Sequence, residues 1–298
     1  MKISFFIKYE KTAYNSINGG NMEEIKKIGN TPIVKYEGVF LKLESFNPGG
    51  SIKDRPAEVI INSLPDDVKI VEASSGNMGI SLAYFGQKKN MEVVIIMPEN
   101  MSRERIEMME KYNAIVKLTP KAKGMSGAIE LAKEYQAKGY VWINQFANEL
   151  NVKAHHQTAL EILKQLPNVD VIVCGIGTGG TITGIAEVMK SLKPSVRIVG
   201  VEPDESAVIT KGQSGIHGIQ GIGAGFIPDI LNLDLIDEVK TVKSVDAIKM
   251  AKVVNESGYS VGISSGAAIL IAKEIAKNSS KTILAICPDG KEKYVSVL

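Results

Sequence analysis

Short apolar runs rich in β-branched residues alternate with amphipathic segments along most of this chain. That alternation restricts the folds open to it more than any other feature. Val68–Val71, Val93–Met97, Ala114–Leu118, Val171–Cys174, Val196–Val201 and Thr282–Cys287 read as strands. Arg103–Lys111, Gly127–Gln136, Thr158–Leu166 and Val245–Val254 read as helices between them. Repeated strand–helix units predict an α/β fold in which open, mostly parallel twisted sheets are flanked by helices. With 298 residues, 44% of them hydrophobic, the chain can fill two such units. We expect a smaller α/β domain over residues 40–148 and a larger one from residues 22–39 and 149–298. Residues 1–21 are polar, end in Ile17-Asn-Gly-Gly-Asn21, and read as an extension.

Several function classes fall away on charge and composition. The net charge is +2, with acidic and basic residues interspersed, so neither nucleic acid nor an anionic membrane is expected as a partner. No apolar stretch approaches the ~20 residues of a spanning helix, and Met1–Ile7 is too short for a secretory core. A cytoplasmic protein is the expectation. Cys174 and Cys287 each close an apolar run and read as small core residues. No cysteine spacing suits a metal, and His155, His156 and His217 form no ligand set.

In open α/β sheets ligands gather at the carboxyl ends of strands, so the loops there carry the search. Asn47-Pro-Gly-Gly-Ser-Ile-Lys-Asp-Arg55 precedes Pro56, which belongs in a first helical turn, so a helix should start near Lys53. A lysine at a helix N-terminus has a lowered pKa and suits imine formation. Ser74-Ser-Gly-Asn-Met-Gly79 offers backbone N–H groups to an anion, or simply caps a helix. Val171–Gly184 is a strand, a Gly/Thr turn and a helix, built to close on a phosphate. It also contains Gly175-x-Gly177-x-x-Gly180, with Glu202 placed as a ribose-binding acid, which is the pattern of an NAD-dependent enzyme. His217–Gly225 is too glycine-rich for a helix or central strand, and Gly262–Ala268 turns from a strand end into a helix.

Together these segments resemble the cysteine synthase (O-acetylserine sulfhydrylase) and cystathionine β-synthase family, the fold type II pyridoxal 5′-phosphate (PLP) enzymes. The resemblance runs from Gly29-Asn-Thr-Pro32 to Cys287-Pro-Asp-Gly290. It includes Met97-Pro-Glu-Asn-Met-Ser102, Gly124-Met125 and Asn144-Gln-Phe146 in the family's order.

The resemblance implies PLP as cofactor, held as a Schiff base on Lys53, which also moves the Cα proton. It implies phosphate binding by Gly177, Thr178, Gly179, Gly180 and Thr181, Asn77 at the ring hydroxyl, and Ser264 at the pyridine nitrogen. It places Ser74, Ser75, Gly76, Met78 and Gln145 at the substrate carboxylate and Gly221 near the amine. Met78 stands where the family usually has Thr, and Asn232 where it often has Asp, a residue able to act as a general base. The implied reaction is β-elimination or β-replacement on a sulfur amino acid through an α-aminoacrylate, in a homodimer. An NAD-dependent enzyme and a catalytically silent PLP-fold binding protein are the alternatives.

Overall fold

The computed structural model describes residues 27–99 and 103–298. The expected extension at 1–21, residues 22–26 and the Asn100–Ser102 part of the family-like segment lie outside the described residues.

Among the described residues, ten strands form two sheets. The larger has the order β1 (Ile33–Tyr36), β2 (Val39–Leu43), β10 (Ile283–Cys287), β7 (Val171–Gly175), β8 (Arg197–Pro203), β9 (Glu238–Val242). Only the β1–β2 pair is antiparallel; the other four pairings are parallel. The smaller sheet has the order β5 (Ile115–Thr119), β4 (Val93–Pro98), β3 (Ile70–Ala73), β6 (Val141–Trp142), all parallel. The α/β class and the mostly parallel sheets are as expected. Strand β2 pairs in the larger sheet, which therefore takes residues 40–43.

Side chains of a strand point alternately to opposite faces, and here both faces are buried. On β7, Val171 and Val173 join one core while Ile172 and Cys174 join another. The first core is completed by helices α8 (Ser244–Glu256) and α9 (Ile263–Lys277), the second by α5 (Glu149–Gln165) and α6 (Gly180–Leu192). Around the smaller sheet, α1 (Asp54–Ser63), α2 (Asn77–Lys88) and α3 (Arg103–Lys111) cover one face. Helix α4 (Gly124–Ala137) covers the other.

Helix α5 begins nine residues before the expected Thr158. Asn148 caps it, accepting a hydrogen bond from the Leu150 N–H at 3.0 Å. Helix α1 starts where Pro56 requires, with Lys53 at its N-cap. The two cysteines are buried and unpaired. Among the described residues no helix is long and apolar enough to cross a membrane, and no His/Cys/Asp/Glu group could hold a metal.

Candidate active site

Lys53 ends a loop pinned from both sides. The Ile52 N–H donates to the Pro288 carbonyl at 2.8 Å, and the Gly49 N–H to the Asp54 carboxylate at 2.6 Å. Lys293 Nζ donates to the Gly50 carbonyl at 2.9 Å. This loop turns the Lys53 amine onto Thr178, Nζ to Oγ1 3.4 Å, across 125 residues of sequence. Burial lowers the amine's pKa to about 8. The buried Cys174 thiol nearby is pushed up to about 12 by the same loss of solvent, so it stays protonated.

Behind Lys53 the β7–α6 turn forms a cradle. Gly179 has φ +84°, a left-handed conformation that glycine adopts without strain. A Cβ on Gly177 would lie 2.5 Å from the Gly221 carbonyl oxygen, so the turn and the glycine-rich loop at 217–225 close on each other. The Thr178 hydroxyl accepts from Asn151 Nδ2 at 3.0 Å, and Asn151 also donates to the Gln145 carbonyl at 2.8 Å. Thr181 Oγ1 meets His155 Nε2 at 3.1 Å, while the other ring nitrogen meets Thr158. Burial holds the His155 pKa well below its ordinary value, so the ring is neutral.

Ser264, in the first turn of α9, is buried, and its Oγ lies 3.8 Å from where a Cβ on Gly221 would sit. Gly221, Gly177 and Ser264 therefore share one wall, with Lys53 opposite Thr178 on that cradle.

The loop after β3, on the smaller sheet, reaches the lysine loop through Asn77, which shares Lys293 with Gly50. Ser74 Oγ accepts from the N–H groups of Gly76 and Gly79, both at 3.3 Å. The Ser75 carbonyl accepts from Arg105 Nη1 at 3.1 Å. Asn77 opens α2 and is bound on both sides, donating to Asp289 Oδ2 at 2.7 Å and accepting from Lys293 Nζ at 3.0 Å. The Met78 side chain is buried in the apolar core under α2.

Next to this loop a cavity of about 170 Å³ is lined by Glu72, Trp142, Asn144, Phe146, Phe226 and Asp229, among others. Burial raises the Glu72 carboxyl to about 7, against hydrogen bonds from Gln145 and Asn144. The Phe146 and Phe226 rings meet at 5.0 Å, joining the β6 side to the glycine-rich loop.

Two sequence-derived positions make local hydrogen bonds. Asn232 is exposed and caps a short 3₁₀ turn, its Oδ1 accepting from the Asp234 N–H at 3.1 Å. The carboxylate that this segment brings to the cavity is Asp229. Glu202 is buried and accepts from Ile209 N–H, Thr210 N–H and Thr210 Oγ1, so its oxygens are not free for a ribose.

The family model of pyridoxal-phosphate dependent enzymes matches residues 25–289. The chain belongs to this family. Its cofactor is PLP, and the residues present fit that group: a glycine cradle at a helix N-terminus for a phosphate, and a lysine brought toward neutrality for a carbonyl. The chain is 46% identical to cysteine synthase B of Campylobacter jejuni over 284 residues, 90% of this chain and 95% of that protein. It is similar to the crystal structure of cysteine synthase from Entamoeba histolytica, with TM-score 0.88 and 40% identity over 93% of this chain and 91% of that one. It is also similar to a hydrogen sulfide-producing enzyme from Fusobacterium nucleatum, with TM-score 0.86 and 39% identity over 90% and 97%. Family membership and the occupied Glu202 together remove the NAD reading.

Sequence reasoning missed Asn151, Asp289, Lys293 and Arg105. Only Asp289 carried a signal, inside the family-like Cys287–Gly290 segment.

Proposed function

We propose that this chain is a cysteine synthase-like transferase or lyase acting at Cβ of three-carbon amino acids whose Cβ carries an oxygen or sulfur leaving group. It makes L-cysteine from O-acetyl-L-serine and sulfide, or breaks L-cysteine down with release of hydrogen sulfide and formation of lanthionine, cystathionine or L-serine. The observation that carries this reading is the Lys53 amine, lowered to about 8 and facing Thr178 at the lip of the glycine cradle.

PLP bound there supplies an electron sink that acidifies the Cα–H bond and weakens the bond to the Cβ substituent. Lys53 Nζ holds the cofactor and afterwards takes the Cα proton, the two tasks a poised neutral amine performs. The N–H groups of Gly177–Thr181 and the threonine hydroxyls hold the phosphate. Ser264 would offer the ring nitrogen a neutral hydroxyl, which would not retain a proton there as a carboxylate would, and so would favour departure of the Cβ group as Lys53 takes the Cα proton. The Ser74–Met78 N–H groups and Gln145 bind the substrate carboxylate, and the Gly221 carbonyl lies by its amine.

The two sheets mark two domains in this reading, with the active site between them, and the working form is a cytoplasmic homodimer.

The test is borohydride reduction of the purified protein and peptide mapping, followed by mass analysis of products from cysteine alone and from O-acetylserine with sulfide. We expect the label on Lys53, and cysteine or sulfide formation that Lys53→Ala lowers by at least about 10²-fold. A label on another lysine, or residual activity within about tenfold of the parent, refutes the assignment.

A further inference from the structure

We propose that Asp289 and Lys293 are positioning residues that lock the Asn77 carboxamide in one of its two orientations, so that an N–H faces the cofactor's ring hydroxyl. This rests on the reading that Asn77 lies at that hydroxyl.

An asparagine amide is nearly symmetric in shape but not in chemistry: one end donates and the other accepts. Flipped, Asn77 would turn its carbonyl to the ring oxygen and repel it when that oxygen is ionised. Its environment decides the matter. Lys293 Nζ, a donor only, sits 3.0 Å from Asn77 Oδ1, and Asp289 Oδ2, an acceptor, sits 2.7 Å from Nδ2. The flipped amide would set an ammonium against an NH2 and a carboxylate against a carbonyl. Asp289 and Lys293 are buried and Asn77 is half-buried, so both mismatches would be penalised. In the observed orientation one N–H is used by Asp289 and the second is left for a ligand.

The clamp is itself held. Tyr294 OH donates to Asp289 Oδ2 at 2.7 Å, and Lys293 Nζ also reaches the Gly50 carbonyl at 2.9 Å, in the loop that carries Lys53. The Asp289 backbone carbonyl accepts from the Gly262 N–H at 3.0 Å, two residues before Ser264. Asp289 Oδ1 is buried with no hydrogen-bond partner. Packing alone gives no reason to keep a half-satisfied carboxylate there. Orientation of Asn77 does, and it ties the hydroxyl contact to the lysine loop and to the pyridine end of the site.

The experiment compares Asn77→Ala, Asp289→Asn, Lys293→Met and Tyr294→Phe with the parent, each reconstituted with PLP. Visible absorption reports the protonation of the ring oxygen, and titration of the apo-protein reports cofactor affinity. We expect Asn77→Ala, Asp289→Asn and Lys293→Met to shift the spectrum in the same sense, toward the protonated ring oxygen, and to weaken PLP binding by about tenfold. Tyr294→Phe removes one support of Asp289 Oδ2 but leaves both Asn77 contacts in place, so it should shift the spectrum in the same sense and by less than Asp289→Asn does. A shift in Asn77→Ala with parent-like spectra for Asp289→Asn and Lys293→Met overturns the clamp and leaves Asn77 at the hydroxyl. No shift in any variant overturns both. A shift in Tyr294→Phe as large as that in Asp289→Asn overturns the clamp in favour of general packing. Apo-protein melting curves identify a variant that fails to fold; Asp289→Asn and Lys293→Met probe the clamp from opposite sides, so either one decides it.

Discussion

Removing the carboxylate of Glu161 should unfasten the lysine loop from beneath. Arg55, two residues past Lys53, is held by two carboxylates. Its Nε and Nη2 meet Glu44 at 2.6 and 2.8 Å, and its Nη1 and Nη2 meet Glu161 at 2.9 and 2.8 Å. Lys42 Nζ, fully buried, meets Glu161 at 2.9 Å. Two cations and two anions balance, so Glu161→Gln keeps the shape but leaves one uncompensated positive charge in the interior. Breaking a buried pair from one side typically costs about 3–5 kcal/mol. An independent route gives a similar size. Hydrogen bonds and charge from Arg55, assisted by Lys42, outweigh burial and hold the Glu161 carboxyl at about 2 against an ordinary 4.5. That difference contributes about 3 kcal/mol at neutral pH.

The sign follows from a depressed folded-state pKa. The contribution is complete above the unfolded value of 4.5 and is lost as pH falls through about 2. At pH 3 about 1.4 kcal/mol should remain. The assay is denaturant or thermal unfolding of parent and variant between pH 3 and 8. At pH 7 the variant should melt roughly 6 °C lower, at about 2 °C per kcal/mol for a chain of this size. The gap should narrow toward pH 3. A variant melting within about 2 °C of the parent at pH 7, or a gap unchanged by acid, refutes the reasoning.

Two further outcomes follow from the site. PLP capture by apo-protein requires a neutral Lys53 amine, and its pKa is lowered to about 8 by burial. The capture rate, followed by absorbance, should therefore climb with pH up to about 8 and level off above it; a rate still climbing near an ordinary lysine pKa of ~10.4 would contradict this. Gly177→Ala would set a Cβ 2.5 Å from the Gly221 carbonyl, which is backbone and cannot swing aside. It should weaken PLP binding by tenfold or more while the apo-protein melts within a few degrees of the parent, and an unchanged dissociation constant would show that the cradle is looser than it looks.

Most of the strands that the sequence made legible are buried on both faces, the mostly exposed edge strand β5 being the exception. Val93–Pro98, Val171–Gly175 and Ile283–Cys287 are nearly continuous apolar runs because each face meets a layer of helices. Strand β2 escaped notice although it is central, because Lys42 interrupts its apolar run. That lysine is satisfied in the interior by the Thr31 carbonyl, Gln165 and Glu161, the last 119 residues away, and no local pattern announces it. Strand β9, at the sheet edge, carries Glu238 and Lys240 on a half-buried surface and loses the apolar signal for the opposite reason.

The site divides along the same line. Loops whose work is done by backbone could be read directly, since Gly177, Gly179 and Gly221 mark where the chain turns or approaches itself. Side chains whose work depends on a partner could not. Lys293 is one of 35 Lys and Arg residues until Asn77 is placed beside it, 216 residues earlier in the chain. Glu202 shows the converse error. Its offset from the glycines matched a ribose-binding acid, yet a nearer demand had already taken it, the free N–H groups at the start of the short helix Val208–Lys211. Asn232 also serves a nearby backbone donor, its Oδ1 accepting from the Asp234 N–H, while Asp229 of the same segment lines the cavity. A polar residue near a loop is free for a ligand only after the backbone donors around it have been satisfied, and that satisfaction is settled in three dimensions.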